Sequence, residues 1–214
     1  TSMYLPDAKA VLGIDLATVT GWAMVKGWAG GGRIMCELLD SGLIDCRRKG
    51  ESSPLIEQDY ISRMGVFYQT LCVLLQSQCL GRWLSSGGEA RMETTIAYEA
   101  IPWGADRTKT SVRTTEMLLG LRGCLLAAIY NRELHWIKFD VVRVQPAAWH
   151  RLVFKDAYGT AKTIAERKAL SIDMAQLLTG VRPDNHHVAD AIGIAFYAIM
   201  RKIIGVTKGG KNAG

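Results

Sequence analysis

Ala10-Val11-Leu12-Gly13-Ile14-Asp15-Leu16-Ala17-Thr18-Val19-Thr20-Gly21-Trp22-Ala23 is the stretch on which the fold of this chain turns. Val11, Leu12 and Ile14 are too continuously apolar for a half-exposed strand, so both faces of this strand are expected to be covered. Asp15 stands near its end, where an ionised carboxylate is costly without hydrogen bonds, a cation or a metal. A short turn of small residues and a second strand follow. Alone, Asp15 reads most simply as a strand-end cap bonded to local backbone. Two features further along change its meaning: a second acid in a second apolar strand, and a His-Asp pair opening an apolar helix.

Outward from this stretch, strands are expected over Ala10–Leu16, Gly21–Gly27 and Arg33–Asp45, joined by glycine-rich connections such as Gly30-Gly31-Gly32. This is an antiparallel meander. After a polar, basic loop from Cys46 to Pro54, the apolar period becomes helical from Leu55 to Leu84, with Tyr60, Met64, Phe67, Leu71 and Leu75 on one stripe. Ser85–Thr94 reads as a polar loop. A short apolar strand, Thr95–Ala100, then carries Glu99, and Ile101-Pro102-Trp103-Gly104 turns the chain away. A helix over Arg107–Asn131, a strand over Trp136–Val144 stopped by Pro146, and helices over Ala147–Val153, Thr160–Leu178 and His186–Ile204 complete the order. Such an order predicts an α/β fold with a mixed five-stranded sheet flanked by helices, formed as a single domain over residues 1–214.

The 214 residues are 49% apolar and 21% charged, an ordinary globular composition with enough length for a full core. Thr1-Ser2-Met3 reads as an expression scar, and Thr207–Gly214 as a frayed tail. No signal-peptide-like segment follows Met3, and the longest apolar runs, about a dozen residues, are too short to span a bilayer. Five cysteines without CxxC spacing read as reduced thiols of a cytoplasmic protein, not as zinc ligands or disulfides. The net charge of +6 is uneven. Residues 1–142 hold 15 basic and 15 acidic side chains, whereas residues 143–214 hold 11 basic and 5 acidic ones. A basic sector points to a polyanionic partner, nucleic acid being the simplest, or else serves solubility alone.

Four side chains carry the chemistry. Asp15 and Glu99 stand at the ends of strands that a mixed sheet can bring side by side. His187 and Asp190 are three apart at a helix start, so they share a face. Separately, Glu99 reads as a salt-bridge partner and His187 as part of a helix cap built on Asp184 or Asn185. Asp190 does not reduce in this way, being the only charge in Val188-Ala189-Asp190-Ala191-Ile192-Gly193-Ile194-Ala195. Converging carboxylates repel unless cations neutralise them. Hard divalent ions, Mg²⁺ or Mn²⁺, suit oxygen ligands, and two of them can drive in-line phosphodiester hydrolysis. His187 then either ligates a metal or orients the water.

GIDLATVTGWA, AYEAIPWG and HHVADAIGIA together resemble the RuvC-type Holliday-junction resolvases of the ribonuclease-H-like superfamily, especially the stand-alone versions found in phages. The resemblance spans roughly residues 10–205. It implies a ribonuclease-H-like fold and a Mg²⁺-dependent endonuclease with two ions per active site, held by Asp15, Glu99, His187 and Asp190. It implies also a bacterial or phage-encoded homodimer, built largely on the helix over Arg107–Asn131, that places paired symmetric nicks in branched, four-way DNA. An aromatic near the Glu strand stacks at the junction in some relatives; here Trp103 is displaced by one position. Lysines between the last strand and last helix contact the scissile region in relatives, and Lys162 falls about there.

The basic residues fit such a partner. Arg107, Lys109 and Arg113 follow the Glu99 turn, and Arg143, His150, Arg151, Lys155 and Lys162 precede the last helix. Both groups flank the acids, as a phosphate-tracking surface requires. Trp103 either stacks on an unpaired base or packs at the domain edge. Trp22, Trp28, Trp136 and Trp149 read as packing. Two other functions remain open. One is a catalytically silent branched-DNA-binding module of the same fold. The other is an actin- or sugar-kinase-like ATPase, suggested by Asp15-Leu16-Ala17-Thr18 but lacking the second glycine-rich loop and the length.

Overall fold

The computed structural model describes residues 9–46, 57–85, 92–101, 112–131, 134, 137–155 and 157–204. The opening stretch forms β1 (Lys9–Asp15) and β2 (Val19–Gly30), followed by β3 (Arg33–Asp45). Gly31 and Gly32, at φ +57° and +74°, form the β2–β3 turn, a left-handed pair that a tight hairpin demands. After α1 (Glu57–Ser85) come β4 (Met92–Glu99), α2 (Val112–Ile129) and β5 (Ile137–Val144). The chain ends in α3 (Pro146–Phe154), α4 (Ala157–Thr160), α5 (Ile164–Thr179) and α6 (His186–Ile204).

The sheet runs in the order β3-β2-β1-β4-β5. β1 is antiparallel to β2 and parallel to β4, and β4 is parallel to β5. The mixed five-stranded α/β architecture read from the sequence is therefore present. β1 sits centrally, which is why Val11, Leu12 and Ile14 are all fully buried. Its side chains alternate between two cores. Leu12 and Ile14 face α1 and α2 through Phe67, Leu71, Leu75, Leu121 and Leu125, while Val11 faces α3 and α6 through Trp149, Ile192 and Ile199.

The alternation decides where the acids go. Strand pairing between β1 and β4 ends at Ile14 with Tyr98, both on the α1–α2 side. The next residues, Asp15 and Glu99, consequently stand together on the opposite side, beneath α6. Two glycines let α6 approach closely. A Cβ added at Gly13 would collide with the Ala191 carbonyl oxygen, and one at Gly21 with the His187 carbonyl oxygen. Enclosed between the sheet and its neighbouring helices, α6 buries Ala191, Ile192, Ile194, Ala195, Ala198 and Ile199 completely.

Three sequence expectations need correction. β4 begins at Met92, inside the expected loop, because Thr94 and Thr95 are buried strand residues. Their hydroxyls find Cys79 Sγ at 3.7 Å and Lys202 Nζ at 2.5 Å, respectively. Pro146 does more than stop a strand: it opens α3, where its missing N–H costs nothing. The helix expected over Thr160–Leu178 begins four residues later, at Ile164, since Thr160 ends α4. Thr163 sets that start by capping α5 in a reciprocal box with Glu166, and Gly180 closes the helix at φ +76°. Among the described residues no helix is long and apolar enough to cross a membrane. None of the five cysteines is in a disulfide, and burial pushes the Cys36 and Cys46 thiols up to about 11, so both stay protonated at neutral pH.

Candidate active site at the carboxyl edge of the sheet

Asp15 ends β1 opposite Gly21 of β2, one of the two glycines on which the α6 backbone rests. This contact delivers His187. Its Nδ1 lies 2.7 Å from Asp15 Oδ2, with the two side chains 23% and 16% exposed. The His187 N–H donates to Asn185 Oδ1 at 2.8 Å, so Asn185 is the residue that caps α6. Asp190, one turn on, is partly buried and accepts a hydrogen bond from the buried Ser171 of α5.

Glu99 ends β4 and receives the indole N–H of Trp149, with Nε1 2.8 Å from Oε2. Burial, then repulsion from Asp15, push the Glu99 carboxyl up to about 7; the Trp149 bond opposes the rise and Asp190 adds to it. Asp190 also rises to about 7, again through burial first and Asp15 second, opposed by the Ser171 bond and by the charges of His187 and Lys168. Asp15, Glu99 and Asp190 therefore sense one another's charge. His187 belongs to the same group through its bond to Asp15. All four residues singled out in the sequence are thus brought to one sheet edge. Among the described residues no three His, Cys, Asp or Glu side chains are already disposed as a cage around a metal ion.

The turn after β1 is closed internally. Thr20, fully buried, donates its hydroxyl to the Ala17 carbonyl at 2.6 Å, and the Ala17 N–H returns to Thr20 Oγ1 at 3.3 Å. The Ala17 N–H and the Thr20 hydroxyl are thus engaged within the turn itself.

Arg143, Arg151, Lys155 and Lys162 are all exposed. Arg143 is in register with Tyr98, so the alternation along β5 puts it on the α1–α2 side of the sheet, whereas Val144, the partner of Glu99, faces α6 with the acids. Lys162 reaches the α5 cap through its backbone, donating its N–H to Glu166 Oε2 at 2.6 Å. The lysine charge that Asp190 and His186 feel is that of Lys168, in the first turns of α5. Arg167 beside it acts on His150, whose imidazole burial and that charge lower to about 4. Trp103, Arg107 and Lys109 lie outside the described residues, as does the side chain of Arg113.

Sequence reasoning missed Trp149, Ser171, Lys168 and Arg167 as neighbours of the site. A signal existed for the last two, because Thr163 followed three residues later by Glu166 announces a capped helix whose first turns carry Arg167 and Lys168. None existed for Ser171. Trp149 was placed in packing, and it does pack: it is 1% exposed, its ring 4.1 Å from that of His150 and 5.4 Å from that of Phe154. Its hydrogen bond was the part not visible.

No family model and no curated protein matches this sequence. Among solved structures, RuvC of T. thermophilus in complex with a Holliday junction substrate is similar to this chain. It is 14% identical and covers 90% of this chain and 95% of its own, with a TM-score of 0.54. The yeast mitochondrial Holliday junction resolvase is 15% identical, covers 89% of this chain and 78% of its own, and has a TM-score of 0.49. The chain shares the fold of that RuvC.

Proposed function

We propose that this protein is a metal-dependent, structure-selective endonuclease that resolves four-way or related branched DNA. The observation that carries this reading is the gathering of Asp15, Glu99 and Asp190 with His187 at one sheet edge, with Glu99 and Asp190 pushed up to about 7. Binding a polyanion gains nothing from clustered carboxylates; attracting cations does. The fold shared with a RuvC captured on a Holliday junction supports the branched substrate.

The donor set fits a hard divalent cation. Three carboxylates supply oxygen ligands, and the repulsion that raises Glu99 and Asp190 is what a cation relieves. Asp15, Glu99 and Asp190, with His187 adjoining, would hold two Mg²⁺ or Mn²⁺ ions, which would supply water activation and charge stabilisation at the phosphodiester. The chain's own groups do the rest. The bond from His187 Nδ1 to Asp15 fixes the imidazole and leaves Nε2 as the atom to orient a water or take its proton. Arg151, Lys155 and Lys168 hold backbone phosphates beside the acids, and Lys162 and Arg167 extend that track. In a homodimer, two such sites nick two strands symmetrically, with Trp103 available to stack on an unpaired base.

The test is cleavage of a labelled synthetic four-way junction and of linear duplex of the same sequence, with Mg²⁺ and with EDTA, by wild type and Asp190→Asn. Paired nicks in the junction alone, abolished by EDTA and in the variant, are the expected result. Equal cutting of flaps and forks would remove the junction preference. Binding without cutting under every condition would make the protein a silent module.

A further inference from the structure

Trp149 sits where two parts of the site meet. Its indole N–H donates to Glu99 Oε2 at 2.8 Å, while its ring lies against Gly193, where an added Cβ would come within 2.8 Å of it. Gly193 is one helical turn beyond Asp190, on the helix that also carries His187. The same side chain therefore bonds one site carboxylate and seats the helix bearing another. Trp149 can do this because it is fully enclosed, with Phe154 beside it on α3 and Ile192 and Ala195 in the same core. An indole offers one donor and no acceptor, so its bond to a carboxylate has a fixed sense. It engages a single oxygen of Glu99, and Oε1 is the one left for a cation.

We infer that Trp149 is a positioning residue: it orients the Glu99 carboxylate for cation binding and locks β4 to α6, setting the spacing between Glu99 and Asp190. This rests on the metal-dependent reading above. Hydrogen-bond partners of ligating carboxylates commonly control metal affinity, and losing one costs about 10–100-fold in affinity or activity. A tryptophan kept only for packing has no such link to the cation.

The experiment is Mn²⁺ binding by calorimetry to the full chain and to Trp149→Phe, which keeps the ring and removes the donor, together with thermal melting without metal. The expected result is Mn²⁺ affinity weakened about tenfold in a variant that still melts cooperatively, and no further weakening when Trp149→Phe is added to Glu99→Gln. Unchanged affinity in the folded Trp149→Phe variant would overturn the assignment. If that variant does not fold, protein labelled with ¹⁵N-tryptophan decides. One of the six indole N–H signals is expected to move strongly in Glu99→Gln, and the same signal to move in wild type on adding Mg²⁺. Six signals unmoved by Glu99→Gln would overturn it. Absence of Mn²⁺ binding by wild type would instead overturn the metal-dependent reading. The Glu99→Gln signal needs no metal, and it would still tell whether Trp149 holds Glu99.

Discussion

His187 and Asp15 are 172 positions apart in the chain and joined by a 2.7 Å contact between Nδ1 and Oδ2. The contact exists because β2 has a glycine, Gly21, opposite Asp15, so that the first turn of α6 rests directly on the strand. Asp15 is thus the residue to which the other acids and the imidazole are all referred: it repels Glu99 and Asp190 and binds His187.

Asp15→Asn is expected to lower junction cleavage by at least about 100-fold, the loss that follows from several kcal/mol of cation-dependent stabilisation. Junction binding, followed by gel shift, should hold or tighten, because one negative charge facing the phosphates is gone. A variant cutting like wild type would take Asp15 out of the chemistry.

The metal-free protein should lose stability as pH rises through neutrality. Glu99 and Asp190 in the fold hold protons up to about 7, whereas in the unfolded chain they release them near about 4. Their contribution is therefore complete below about pH 4 and is lost as pH climbs through 7. His150, lowered to about 4, acts oppositely: its contribution is present above about pH 6.5 and lost on acidification. Between about pH 6.5 and 8 the carboxylates dominate, and calorimetric melting should fall by roughly 2–4 °C. Mg²⁺ at the higher pH should restore it, and the Glu99→Gln/Asp190→Asn double variant should show no fall.

Gly21→Ala should destabilise the fold by about 1–3 kcal/mol, since its methyl meets the His187 carbonyl oxygen and the backbone there cannot yield cheaply. Gly65→Ala is the contrasting case. It lies exposed in α1 with open space around it, so alanine should stabilise by about 0.5–1 kcal/mol. Urea midpoints of the two variants should move in opposite directions.

Arg151→Ala and Lys168→Ala should each weaken junction binding uniformly across sequences. Each should also flatten the dependence of log K on log salt by about 1, the mark of one lost phosphate contact. Unchanged slopes would place the DNA elsewhere on the surface.

Much was legible in the sequence alone. The unbroken apolar run Val11–Ile14 required a central strand, the acids Asp15, Glu99 and Asp190 in apolar surroundings marked the site, and strand and helical patterns ordered the elements. These are local properties, written in neighbouring residues. Polar strand residues hid the start of β4, because Thr94 and Thr95 are satisfied by Cys79 and Lys202 from elsewhere in the fold. The helical period likewise concealed the later start of α5, which the Thr163 side-chain cap, not hydropathy, sets.

What only the tertiary structure decided is how the site is supported. That Trp149 bonds Glu99, that Ser171 bonds Asp190, and that Lys168 is the lysine whose charge reaches Asp190 depend on α3 and α5 packing against α6. The physical reason is range. Burial and alternation are imposed on each strand by its own residues, whereas a hydrogen bond or a Coulomb shift depends on partners brought close by the packing of distant segments. The sequence names the acids; the fold chooses what holds them.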